Sequence, residues 1–367
     1  MSYLKTPAKY LQLLLPVFNT KRTKEIFKVN PTVIPSREEA REVKVYVHEY
    51  NSTDIHVHSL EDVKACSDFR VTNNITWINV DGLRKQDVEF LGNEFHIHPL
   101  LTEDILSVGQ RPKMDEVDDV LFCLMNMLYF NEQNKSVEQE QISIVLGKNF
   151  VLSFQEDATR DVFDNLRNKL KLSNTRLRNS GADYLCYSMI DSIVDHYYVV
   201  LEQLGETIEE LEEEIIKYGS TRSLARINSL RKELIVLKRN IAPVREVVNG
   251  FIRSDSVLMD EVNTKYFKDV YDHIVQANDL VENYRDMMMN LQDLYLNKVN
   301  MRMNEVMKVM AIVTCLLAPA TVIGGIFGMN FESIPYLHNQ YGFYIAVGLM
   351  LLIPLWMIRI FKKREWF

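Results

Sequence analysis

The chain has 367 residues, room for two or three domains, and its 47% hydrophobic and 25% charged content is that of a folded protein, not a disordered one. Its 50 acidic residues outnumber 42 lysines and arginines, and the net charge of −8 argues against a nucleic-acid partner. The averages conceal an asymmetry: charge is dense as far as Val306, whereas residues 309–331 and 333–358 hold no acid, lysine or arginine.

At the N-terminus LQLLLPVF (11–18) follows Lys5 and Lys9. Pro16 interrupts it and no small-residue cleavage site follows, so it does not read as a signal peptide. VKVYVHEY (43–50), TWINVDG (76–82) and ISIVLGKNFVLSF (142–154, turning at Gly147-Lys148-Asn149) predict strands between helices, hence an α/β domain over residues 1–175. His56 and His58 flank Val57, and His96 and His98 flank Ile97. On strands each pair would share a face, which suits either a transition-metal pair or ordinary surface and core histidines. Cys66, Cys123, Cys186 and Cys315 form no C-x-x-C pair, which suits reduced thiols and not a zinc knuckle.

Residues 176–258 predict a helical hairpin. Leu201, Leu204, Ile208, Leu211 and Ile215 repeat at helical spacing, and after Tyr218-Gly219-Ser220 so do Leu224, Ile227, Leu230, Leu234, Leu237 and Ile241. The first helix is crowded with glutamates (Glu202 to Glu214) and the second with Arg222, Arg226, Arg231, Lys232, Lys238 and Arg239. Two readings fit: a solvated hairpin laced by ion pairs, or an acidic face that attracts cations with a basic face near a membrane. A third helix begins near Asp260 and meets no breaker before Pro319, with Met287, Met288 and Met289 as packing residues. Its 259–330 stretch would make a rod on the order of 100 Å, too long to bury itself in one small domain.

The two uncharged stretches exceed the roughly 20 residues needed to cross a bilayer. They predict spans at about 309–329 and 341–360, joined by an extracytoplasmic loop over 331–340 and followed by a basic tail, 361–367. Lys298, Arg302 and Lys308 precede the first span, and Arg359, Lys362, Lys363 and Arg364 follow the second. The positive-inside rule therefore puts both termini in the cytoplasm, with the chain multi-pass in the cell membrane.

One stripe of the third helix is unusual. Every seventh residue back from Gly328 is Thr321, Thr314, Met307, Asn300 and Asp293, and the companion series is Gly325, Ala318, Ala311, Asn304 and Asn297, with Met310 beside them. A self-contained coiled coil would carry Leu and Ile there. Polar groups at membrane depth are tolerated at helix contacts or around water. Thr314 and Thr321 could bond their own backbone carbonyls, but Asn and Asp continue the stripe below the span, which favours a pore. With two spans per subunit, a pore needs several copies around an axis, hence a symmetric homo-oligomer. No phosphate-binding G-x-x-x-x-G-K-[ST] loop is present, so neither nucleotide binding nor a hydrolase has support.

PATVIGGIFGMNF (319–331) and the basic end RIFKKREWF resemble the CorA family of magnesium transporters, whose signature is the triplet Gly328, Met329 and Asn330. HPLLTEDILSVGQRPK (98–113), QEQISIVLGKNFVLSFQE (139–156), ADYLCYSMIDSIVDHYY (182–198), YFKDVYDH (266–273) and NEVMKVM (304–310) extend the resemblance over nearly the whole chain. It implies a homopentameric funnel: a cytosolic α/β domain, a stalk helix continuing into the pore-lining span, and a second span outside it. The transported ion would be Mg²⁺, with Co²⁺ or Ni²⁺ as further cargo, driven inward by the membrane potential at about 2.3 kcal/mol per charge per 100 mV.

Mg²⁺ gives up its water shell reluctantly, and a ring of neutral Asn330 amides could bind that shell without stripping it. Gly324, Gly325 and Gly328 would let helices approach and the chain turn, and Glu332 would draw cations to the mouth. Relatives often read Tyr-Gly-Met-Asn and then Met-Pro-Glu, where this chain has Phe327 and Ile334-Pro335-Tyr336. In relatives an aspartate of the Glu-Asp-Ile segment and one of the Tyr-Phe-x-Asp segment meet across a subunit interface and bind regulatory Mg²⁺. Here the matching residues are Asp104 and Asp269. A Zn²⁺ transporter of the same family and a non-conducting membrane-anchored coiled-coil sensor remain as alternatives.

Overall fold

Alternating Val, Ile and Phe along 44–155 build a seven-stranded sheet in the computed structural model. The model describes residues 39–70, 72–107, 109–157, 160–329, 339–364 and 366. The chain divides into two units, Met1–Glu214 with Ser220–Gln292, and Ile215–Gly219 with Asp293–Phe367. The apolar run at 11–18 lies outside the described residues.

In the first unit the strands are β1 (Lys44–Tyr50), β2 (Ile55–Leu60), β3 (Ile75–Asp81), β4 (Lys113–Val117), β5 (Val120–Asn131), β6 (Ser136–Leu146) and β7 (Phe150–Gln155). Their order is β2-β1-β3-β7-β6-β5-β4, antiparallel throughout except for the parallel β3/β7 pair. Because side chains alternate along a strand, Val45, Val47, Ile78, Val80, Leu152, Phe154, Phe122 and Leu124 share one face. They pack there against α1 (Lys85–Glu94) and α2 (Pro99–Leu106) through Val88, Leu91, Leu101 and Ile105. Each such side chain buried outright contributes about 1.5–3 kcal/mol.

The opposite face carries a buried polar chain. Trp77 Nε1 donates to Ser153 Oγ (2.9 Å), Ser153 Oγ to Asn79 Oδ1 (2.6 Å), and Asn79 Nδ2 to Asp81 Oδ1 (2.7 Å). Phe163, just ahead of α3 (Asp164–Lys171), meets Trp77 edge-on at 5.9 Å. Past the short α4 (Arg176–Asn179) come the long α5 (Ala182–Lys217) and α6 (Thr221–Ile241). Tyr197 of α5 donates its hydroxyl to the Asn126 carbonyl (2.7 Å), and Asn126 Nδ2 donates to Asn240 Oδ1 of α6 (2.8 Å), fixing both helices on β5.

Gly219 turns the chain between α5 and α6 at φ 51°, a conformation that favours glycine. The charged faces are partly paired: Arg226 bridges to Glu214 and, at 3.7 Å, to Glu210, while Lys238 reaches Glu282 of α8 (Glu261–Phe327). A Cβ at Gly205 would lie 2.4 Å from the Tyr284 hydroxyl, so glycine is what lets α8 close on α5. Between α6 and α8 lies α7 (Val244–Arg253).

The histidines part company with the sequence reading. His56 and His58 do lie on a strand, the sheet-edge β2, with ring centroids 6.5 Å apart. His96 and His98 do not: they lie between α1 and α2, His96 at φ 56° and His98 as the N-cap of α2, its Nδ1 accepting from Leu100 N. The N-cap side chain and Pro99 start a helix where the H-x-H spacing suggested a strand.

Glu140 supplies a pH test of the first unit. It is 5% exposed, accepts from Glu156 N and Asp157 N at 3.2 and 2.8 Å, and leaves Oε2 unpartnered. Burial, only partly offset by the Asp157 N–H, pushes its carboxyl up from 4.5 to about 7. The folded chain thus keeps this proton where the unfolded chain has lost it. Its contribution to stability is full below about pH 4.5 and is lost as pH rises through about 7. Glu140→Gln should raise the thermal unfolding midpoint at pH 8 and leave it nearly unchanged at pH 5.

In the second unit, residues 293–327 of α8 accompany α9 (Gly342–Lys363). Both helices are long and apolar enough to cross a membrane. Pro319 and Pro354 sit inside them without ending them; membrane helices tolerate proline where neighbouring groups satisfy the freed carbonyl. Past α9, Trp366 folds back to stack on Phe361 at 5.4 Å.

Candidate ion pathway and cation-binding residues

The apolar face of α8 that meets α9 fixes the rest of the geometry in the second unit. Ile323 and Phe327 form a groove with Gly342, Ile345, Ala346 and Leu349 of α9, and a Cβ at Gly324 would lie 3.9 Å from Met350 Cε. At about 100° per residue, Thr314, Ala318, Thr321 and Gly325 lie about 140° to 180° around the helix from Ile323. The small and polar stripe therefore points away from α9. Asp293, Asn297, Asn300, Asn304, Met307, Met310, Thr314, Ala318, Thr321, Gly325, Gly328 and Met329 are all exposed in the single chain. Lipid-type residues such as Val322 are exposed as well, at 58%, so exposure alone does not separate the stripe from its flanks.

Thr314 Oγ1 donates to the Met310 carbonyl (2.9 Å) and Thr321 Oγ1 to the Leu317 carbonyl (3.0 Å). The hydroxyl protons are thus held by the helix, and the oxygen lone pairs remain as acceptors for water on a cation. Within one chain a Cβ at Gly325 would meet nothing within 4 Å, whereas at Gly328 it would crowd the Gly324 carbonyl at 3.1 Å. The helix hydrogen bonding continues past Phe327 through Gly328 N to Gly324 O (2.9 Å) and Met329 N to Ile326 O (3.4 Å). None of Gly324, Gly325 and Gly328 takes a positive φ; the helix ends at Phe327 and the chain turns at Gly328 and bends at Met329. Asn330, Glu332 and the loop as far as His338 lie outside the described residues.

Asp104 lies in the last turn of α2 with both carboxylate oxygens engaged. Lys113 Nζ meets Oδ2 at 2.5 Å, and Gln110 Nε2 donates to Oδ1 at 2.8 Å. Burial works against the Lys113 charge, but the Asp104 and Asp115 carboxylates outweigh it and raise its pKa. Asp269 is exposed on α8, and among the described residues no hydrogen bond or ion pair joins it to Asp104.

The structure gathers a second acidic group that the sequence reading missed. Asp191 and Asp195 of α5 and His273 of α8 bring one donor atom each within 4.8 Å of one another. His273 lies one helical turn beyond Asp269. Its carbonyl accepts from Tyr198 Oη (2.6 Å), and its Nδ1 is buried without a partner. Burial first, and then the Asp195 carboxylate, push Asp191 up to about 6. Two carboxylates and an imidazole could hold a divalent ion, and the nitrogen suits Co²⁺ or Zn²⁺ better than Mg²⁺, which prefers oxygen. The signal was present as D-x-x-x-D in ADYLCYSMIDSIVDHYY and D-x-x-x-H in YFKDVYDH.

An α/β body, long helices and two helices of membrane-crossing length, one striped with uncharged polar residues, are the architecture of a membrane transport protein, and its family follows from likeness to known proteins. The family model for CorA-like Mg²⁺ transporter proteins matches residues 72–363. The cobalt/magnesium transport protein CorA of Thermotoga maritima is 37% identical over 336 residues, 91% of this chain and 95% of that one. The complete structure of the CorA magnesium transporter from Methanocaldococcus jannaschii superposes with a TM-score of 0.71 at 21% identity, covering 90% of this chain and all of the other. The zinc transport protein ZntB of Yersinia pseudotuberculosis is 21% identical over 290 residues, 79% of this chain and 87% of its own. The chain belongs to the CorA-like family of transporters, whose members carry divalent cations across membranes.

Proposed function

We propose that this protein is a passive Mg²⁺ channel of the plasma membrane, a homopentamer with both termini in the cytoplasm. Hydrated Mg²⁺, and with it Co²⁺ or Ni²⁺, enters along the α8 stripe under the membrane potential. The Asn330 ring selects the hydrated ion, Glu332 concentrates cations outside it, and Mg²⁺ bound through Asp104 and Asp269 closes the channel from within. Residues 1–258 form the cytosolic body in this reading, 259–330 the stalk and pore helix, and 361–367 the cytosolic tail.

The observation that carries the reading is the stripe's position on α8. It lies opposite the face that α9 covers, where another subunit or water suits its polar groups better than lipid does. Fivefold symmetry would turn Thr314, Thr321 and Gly325 toward one axis and leave α9 outside.

Flux into liposomes holding the purified protein tests this. Thr321→Leu and Asn304→Leu should dry the lumen and reduce Mg²⁺ flux by more than about tenfold, as a hydrophobic constriction gates by dewetting. Val322→Leu, off the stripe, should conduct like the parent. Equal effects at all three positions would mean that the stripe is ordinary packing. A second reading, Zn²⁺ transport, is favoured by the imidazole in the Asp191–Asp195–His273 group. Zn²⁺ flux exceeding Mg²⁺ flux in the same liposomes would select it.

A further inference from the structure

Lys113 opens β4, and Asp115 follows two residues later on the same face of the strand. Its ammonium sits between two carboxylates, 2.5 Å from Asp104 Oδ2 and 3.2 Å from Asp115 Oδ2. The other end of the arrangement is fixed as well. Gln110 Nε2 holds Asp104 Oδ1 (2.8 Å), and Gln141 Nε2 of β6 donates to the Ser107 carbonyl (2.8 Å) at the end of α2. Asp104 is thus held rigidly and already has a cation on it.

We propose that Lys113 is a tethered cation that competes with the divalent ion for the Asp104 carboxylate and so sets the concentration at which that ion binds. The proposal rests on the reading of Asp104 as a divalent-ion ligand and adds the residue that tunes its affinity. Two carboxylates and one ammonium leave a net charge of −1 at this corner of the domain. A bare pair of carboxylates would hold Mg²⁺ more tightly. The side chains of Asp104 and Lys113 are 19% and 35% exposed, dry enough to strengthen the pair over a surface bridge and open enough to admit a hydrated ion.

Displacement does not strand the ammonium. Asp115 keeps Lys113 when the ion takes Asp104, so the exchange is a swing of the flexible lysine stem between one shared and one single partner. In a cell low in Mg²⁺ the Asp104 carboxylate is thus paired with the protein's own cation. Mg²⁺ must first outcompete Lys113 before it can bring Asp104 to a neighbouring carboxylate.

The test uses the full-length protein in detergent, with Mg²⁺ as the probe and protection of the cytosolic region against protease as the readout. Lys113→Gln and Lys113→Met, which keeps the packing of the stem, should shift the protection midpoint to about fivefold lower Mg²⁺, the effect of removing one half-exposed competing charge. Lys113→Arg, which keeps the charge, should stay within about twofold of the parent. Asp104→Asn should lose the Mg²⁺ response. If Asp104→Asn is unresponsive while the neutral Lys113 variants keep the parent midpoint, competition is overturned and the ligand reading stands. If Asp104→Asn keeps the parent curve, the ligand reading itself fails and this proposal with it.

Discussion

Asn330→Ala should abolish Mg²⁺ uptake to background while the oligomer still assembles. In sequence, residue 330 lies three positions after Phe327, the last residue of the helix that carries the stripe. A hydrated Mg²⁺ presents water protons, and a ring of carbonyl oxygens accepts them. Alanine offers none and leaves the ion facing methyl groups, where its hydration shell is held less well than in bulk water. Aspartate in the same place should bind the ion and slow its exit, because conduction needs a site that releases as well as binds. Liposome flux, together with the oligomer's elution volume, checks both halves of the expectation. Parental Mg²⁺ flux in Asn330→Ala would remove the filter from the proposal.

Asp269→Asn should leave the channel conducting at internal Mg²⁺ concentrations that close the parent. The carboxylate is exposed on α8, one turn from His273 and within electrostatic reach of Tyr187, whose hydroxyl it helps to push up after burial and the Asp191 charge. A second subunit could therefore reach it. Two carboxylates brought together repel unless a cation sits between them, so bound Mg²⁺ favours the arrangement in which they meet. Differential affinity of this kind amounts to about 1–3 kcal/mol, a shift in the inhibitory concentration of about 5–150-fold. The charge-neutral amide should raise the Mg²⁺ needed for half inhibition by at least tenfold, on that scale. Current recorded from patches or bilayers against stepped internal Mg²⁺ measures it; a parental inhibition curve would place the sensor elsewhere, with the Asp191–Asp195–His273 group the next to test.

The sequence alone determined whatever depends on local pattern. Two uncharged stretches longer than a bilayer is thick read as candidate spans, so α9 and the apolar end of α8 were legible from composition. Period-two alternation placed β1, β3 and β7 within a residue or so and caught only the second half of β6, which begins six residues earlier at Ser136, while helical spacing placed α5, α6 and the start of α8. The stripe was legible because a seven-residue repeat needs no partner to be read. Pattern failed where a cap overruled it: His98 and Pro99 start a helix in a segment whose histidine spacing looks like a strand.

Tertiary structure decided which distant residues meet. Nothing local says that α5 and α8 cross with Asp191, Asp195 and His273 together; that follows from Gly205 admitting Tyr284 and from both helices packing in one unit. Nor could the sequence say that Lys113 sits on Asp104, since the contact depends on where α2 ends over the sheet. Which face of α8 is covered was likewise decided by α9, which packs on Ile323 and Phe327 and leaves Thr314 and Thr321 on the far side. The physical reason is the same in each case. Hydrophobic periodicity fixes which face of an element is buried, but the partner that buries it, and the charges it carries along, are chosen by packing between elements remote in sequence.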